Sequence, residues 1–219
     1  MYNYEDGSYS FGVENFTNEG MYQFESAYYI KYNSKKALYA LSKISNGDDI
    51  KNVEEKCFYY HLYLDLLFQA VGMIINRFKV GNKIGNRACQ VQNNCQQYNF
   101  NETEYPLLSD KSFRNFIEHI DERDEFLIDN NIYYGTFNLI YPQMDSKIKE
   151  GLLDLNKEQN NLLNIENMTY TILDYNRLKD KKTQINRKTI DLKKLELEIK
   201  KMNKISSSIW EYLIDSMFS

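Results

Sequence analysis

Pro106 and Pro142 are the only prolines in 219 residues. A helix anywhere before Pro106 meets no ring that would break its hydrogen-bond ladder. Nine glycines are also too few to punctuate a turn-rich β protein. The chain is therefore expected to be mainly α. Its 32 aromatic residues (19 Tyr, 12 Phe, 1 Trp) and 42% apolar content can fill one sizeable core. The length suits one domain spanning 1–219.

Apolar spacing places the helices. Phe24, Ala27, Tyr28, Ala37, Leu38, Leu41 and Ile44 recur every three or four residues and predict a helix over 20–45. "SNGDD" at 45–49 stops it, with Gly47 just past the end. Residues 50–79 predict a second helix, apolar almost all round between Phe58 and Ile75, and so a central core helix. On that reading His61 is a hydrogen-bonded core histidine. The longest apolar run, 62–75, includes Asp65 and is too short to cross a bilayer, so no membrane partner is expected. Residues 79–106, rich in Asn, predict a long loop with a short helical piece near 84–97. A third helix is predicted from Ser109 or Asp110 to about residue 128. Leu192, Leu195, Ile199, Met202, Ile209 and Leu213 predict a last helix over 188–217. Between them, "NIYYGTFNLIYP", "NNLLNI" and "MTYTILDY" lack a helical period and read as short strands. Residues 131–186 are thus expected to form a small inserted β-hairpin or sheet, with a helical stretch at 143–158.

Charge and cysteine usage narrow the chemistry. The net charge of −4 excludes a basic nucleic-acid coat but not a local patch. Residues 177–204 hold eleven Lys/Arg against four Asp/Glu, a local +7 that leaves −11 on the rest. Arg187, Lys188, Lys193 and Lys194 are the candidate contacts to a polyanion; the alternative is a solvated lysine-rich helix. Cys57, Cys89 and Cys95 are odd in number and read as free thiols of a reducing, cytoplasmic compartment. Cys89 and Cys95 are too far apart for a paired zinc ligand motif, and no histidine lies nearby. "DERDE" at 121–125 spreads around a helix axis and reads as a solvated face. No metal and no cofactor are expected, and "GNKIGN" lacks the Lys-Ser/Thr of a nucleotide loop. The N-terminus has no basic and apolar regions of a secretory signal.

One stretch, "RNFIEH" at 114–119, offers catalysis. With Arg114 set at 0° and about 100° per residue, Phe116, Leu127, Ile120, Phe113 and Ile117 occupy an arc from about 200° to about 300°. His119 lies at about 140° and Asn115 at about 100°, off that apolar stripe. Asn115 and His119 are i and i+4 neighbours, so one can orient the other. A histidine with an ordinary pKa near 6.5 can move a proton to or from a ribose oxygen. An arginine can hold a phosphate and stabilise its transition state without a metal.

This segment resembles the signature of the HEPN superfamily: Arg, four to six residues, then His, with Asn, Asp or His favoured after the Arg. The resemblance implies a helical bundle of four or more long helices and a metal-independent endoribonuclease of a toxin–antitoxin, abortive-infection or CRISPR-associated defence system. It further implies a homodimer whose two motifs share one active site, RNA as substrate, and an antitoxin or regulatory protein as a possible partner. By that resemblance Arg114 and His119 are catalytic and Asn115 supports them. Family toxins silenced by a nucleotidyltransferase often carry Tyr two residues after the His; here Asp121 stands there, so tyrosine modification at that position is not expected. The alternative is a non-catalytic helical interaction module, binding a partner protein or RNA, with the stripe of the last helix as its docking face.

Overall fold

The structure, a computed structural model, describes residues 18–47, 52–79, 86–110, 138–155, 161–177 and 183–218. Among these, six helices accompany one four-stranded sheet. The helices are α1 (Asn18–Ser45), α2 (Val53–Ile75), α3 (Asn86–Gln97), α4 (Pro106–Ser109), α5 (Ser146–Leu155) and α6 (Leu192–Phe218). The strands are β1 (Asn138–Ile140), β2 (Leu162–Asn164), β3 (Thr169–Arg177) and β4 (Thr183–Asp191). The mainly helical expectation holds, and so does a small sheet in the second half. The helix predicted from Ser109 or Asp110 to about residue 128 lies, from residue 111 on, outside the described residues.

The apolar stripes decide the packing. α1 contributes Ile30, Ala37, Leu41 and Ile44 to the core; α2 contributes Leu64, Leu67, Val71 and Ile74; α6 contributes Leu195, Ile199 and Met202. The sheet adds Leu163, Tyr170, Ile172 and Ile190 to the same cluster, so helices and sheet share one core. β1 pairs with β2 in parallel, with α5 as the crossover between them; β2–β3 and β3–β4 are antiparallel. Strand alternation sends Tyr170, Ile172 and Ile190 inward. Thr171 and Thr189, directly opposed, meet on the outer face with their hydroxyls 3.0 Å apart.

The asparagine-rich segment after α2 is ordered by its amides. Asn94 is buried, and its Nδ2 donates to the Arg77 carbonyl (2.9 Å) and the Ser26 hydroxyl (3.3 Å), pinning α3 to α1 and to the end of α2. α3 ends with Asn99 at φ 48°, the left-handed conformation that asparagine tolerates. Phe100 N–H donates to the Cys95 carbonyl (2.8 Å) and Asn99 N–H to the Gln96 carbonyl (3.1 Å), the paired bonds of a Schellman cap. Phe100 then stacks on Phe78 at 4.3 Å.

Several expectations are corrected. The last helix begins at Leu192, not 188, because residues 188–191 find partners across the hairpin as far as Thr169↔Asp191. Asp191 closes the strand and opens the helix, its Oδ1 accepting the Lys194 N–H at 3.0 Å. α2 is not buried all round: Phe58 (64% exposed), Leu62 and Met73 line a solvent face. His61 is on the open side too, 60% exposed, and not in the core. Helix α2 satisfies the length and hydropathy of a membrane span over Glu55–Ile75, with 44% of its most apolar window buried. The stripe of α6 is the core itself, Leu192, Leu195, Ile199 and Met202 all being sealed, so it does not offer a docking face.

Candidate functional site

Arg114, Asn115 and His119 lie outside the described residues, as does the acidic run 121–125. The ends that hold this segment are described. On the entering side, α4 is fixed from below by Glu198 of α6. Its two carboxylate oxygens accept the N–H groups of Leu107 (3.0 Å) and Leu108 (2.9 Å), which the four-residue helix cannot satisfy itself. Burial pushes the Glu198 carboxyl up from its ordinary value; those two N–H groups and Lys201 pull the other way. Asp110 follows in extended conformation and forms an ion pair with Lys188 of β4. On the leaving side, Asn138–Ile140 enters the sheet beside β2.

The four basic residues proposed from sequence sit close together along the chain but face differently. Lys188 lies opposite Ile172, on the side of the hairpin that carries the core residues Tyr170 and Ile190, and its ammonium is engaged by Asp110. Arg187 pairs with Leu173 in the same ladder. Lys193 and Lys194 occupy the exposed first turn of α6, with the Lys194 ammonium 3.8 Å from Asp191. Further along α6, Lys200 pairs with Glu196 (2.7 Å) and Lys201 with Glu104. Two of the seven net charges over 177–204 are therefore answered by carboxylates from outside the segment, Asp110 and Glu104; Asp191 and Glu196 already count within it.

A second set of polar groups lies on α2. Cys57, His61 and Asp65 follow one another at one-turn spacing, and His61 Nε2 stands 3.8 Å from Asp65 Oδ1. Burial holds the Asp65 carboxyl above its ordinary range, with His61 opposing. Burial also raises the Cys57 thiol, which keeps it protonated and a poor nucleophile. The Cys95 thiol is raised for the same reason. Among the described residues no three His, Cys, Asp or Glu side chains converge as metal ligands.

The polar face of α1 carries a signal that apolar spacing does not reveal. Between Tyr28 and Ser45 the helix has four lysines and no carboxylate, in a chain whose net charge is −4. Counting charge along single helices, instead of along the whole chain, finds it. No protein-family model, curated protein or solved structure matches this chain.

Proposed function

We propose that the chain is a metal-independent endoribonuclease of HEPN type, acting in a prokaryotic defence or toxin system. The observation that carries this is RNFIEH, with Asn115 directly after Arg114 and with Arg114 and His119 both off the apolar stripe of their predicted helix. A mainly helical architecture with a small sheet is compatible with it. His119 acts as general acid/base on the ribose 2′-hydroxyl and the leaving 5′-oxygen. Arg114 stabilises the charge that develops on the phosphate, and Asn115 orients the imidazole. The product ends are a 2′,3′-cyclic phosphate and a 5′-hydroxyl. Two copies of the chain place two motifs across one active site.

RNA incubated with the wild type in EDTA is expected to be cut. His119→Ala and Arg114→Ala are each expected to lose at least about a hundredfold in rate. Equal cleavage by all three proteins would remove the assignment.

A second reading is favoured by a specific observation. Phe58, Leu62 and Met73 form an exposed ridge along α2. Large apolar side chains in such a row mark an interaction surface more often than an idle one. The chain would then be a helical interaction module that docks through α2.

A further inference from the structure

We propose that the solvent-facing ridge of α1, from Tyr28 to Lys43 with Trp210 of α6 at its end, binds single-stranded RNA. The inference rests on RNA being the substrate, but it names a surface separate from RNFIEH.

The ridge follows from helix geometry. With Ile30 at 0°, the buried residues Ala37, Leu41, Ser34 and Ile44 fall within about 40° of it. Lys35, Tyr28, Tyr39, Tyr32 and Lys43 then occupy an arc from about 140° to about 220°. Three rings and two ammonium groups thus share the outer edge over about 22 Å. Tyr32 is 55% and Tyr39 53% exposed. The rings of Tyr28 and Tyr32 are parallel to within 15°, with centroids 6.2 Å apart. Lys43 Nζ lies 5.6 Å from the Tyr39 centroid. At the other end Trp210 packs on Phe24 (4.2 Å) and Tyr28 (5.2 Å), under Lys31 Nζ at 5.7 Å. Among the described residues, no carboxylate forms an ion pair with Lys31, Lys35, Lys36 or Lys43.

The chemistry selects the ligand. Exposed rings offer faces on which bases stack, and unpaired lysines answer a phosphate backbone; together they suit a strand whose bases are free. A duplex hides its base faces and gains nothing from the tyrosines. A protein partner fits poorly, since lysine is depleted from buried interface cores. The α2 ridge, apolar and without lysines between Phe58 and Met73, has the opposite character. Lys188, Lys200 and Lys201 are held by carboxylates, whereas among the described residues the four α1 lysines are not.

The test uses the full chain carrying His119→Ala, which leaves RNA uncut, and a fluorescein-labelled oligouridylate followed by anisotropy. Binding is expected, with quenching of Trp210, the only tryptophan. Tyr32→Ala and Tyr39→Ala are each expected to weaken it about fivefold or more. Lys35→Ala with Lys43→Ala should flatten the slope of log K against log salt by about 1.4. Equal binding by these variants would overturn the proposal. So would a loss confined to Lys193→Ala/Lys194→Ala, equal affinity for a duplex, binding only to anionic lipid vesicles, or a self-association that the Tyr39→Ala variant abolishes. Cleavage is scored separately with His119 restored. Ridge variants that bind normally leave the nuclease standing and sink the ridge. A ridge that binds RNA in a protein that never cuts it does the reverse.

Discussion

Gly47 shows how one residue can be fixed by contact and not by dihedral. It stands just past α1, where a glycine is expected to adopt left-handed backbone. Its φ lies outside that region. What it lacks is room: a Cβ there would meet Tyr60 Oη at 2.0 Å and Cζ at 2.6 Å. Tyr60 is itself sealed in the core, so its ring cannot swing out without opening a void. Gly47→Ala is expected to destabilise the protein by about 1–3 kcal/mol, read as a lower urea midpoint. An unchanged midpoint would mean that the ring yields freely. Asn99 is the converse case, a position where the backbone, at φ 48°, sets the demand.

At the scale of elements, α4 exists because α6 completes it. Four residues cannot bond their own first N–H groups, and Pro106 at the start reduces that debt by one. Glu198 supplies the two acceptors that remain within reach. Replacing it by Gln leaves one N–H facing an amide NH₂, at a cost of about 1–3 kcal/mol. The pH dependence runs opposite to that of a common surface carboxylate. Burial raises the folded-state pKa above the ordinary 4.5, so the folded protein holds this proton more tightly than the unfolded chain. Its stabilising share is full below 4.5 and is lost as pH rises through the raised value. The wild type's advantage in Tm over Glu198→Gln should therefore narrow on going from acid through that window. A gap that widens with pH would show that the two N–H groups and Lys201 outweigh burial. Tyr105, close by, has its phenol pushed up to about 12, by burial first and then by Glu104 and Glu198.

At the scale of the molecule, one core joins α1, α2, α6 and the sheet. No boundary within that cluster separates the hairpin from the helices. Unfolding in urea is accordingly expected to be one transition, with Trp210 fluorescence reporting the α1–α6 contact and far-UV circular dichroism reporting all the helices at the same midpoint. Ile199→Ala, at a sealed position in the N-terminal half of α6, should shift both signals together by about 2–5 kcal/mol. Separate midpoints would mean that the α1–α6 pair unfolds apart from the remaining helices.

The sequence by itself determined the helical character, the positions of α1, α2, α3 and α6 to within a few residues, and the three strand-rich stretches of the second half. It could do so because apolar spacing and the lack of proline act locally along the chain. RNFIEH is likewise legible in sequence, as a spacing of Arg and His on one predicted helix. Only the tertiary structure decided which side of each helix is covered. α2 has enough apolar residues for every face, yet α1 and the sheet cover only part of it, leaving Phe58 and His61 in solvent. The start of α6 was decided across the hairpin, since 188–191 suit a strand only when Thr169–Ile172 lie opposite. The fate of the lysines was decided in the same way. Their number is a property of the chain, but Asp110 and Glu104 reach Lys188 and Lys201 only after folding, whereas no carboxylate among the described residues reaches the lysines of α1.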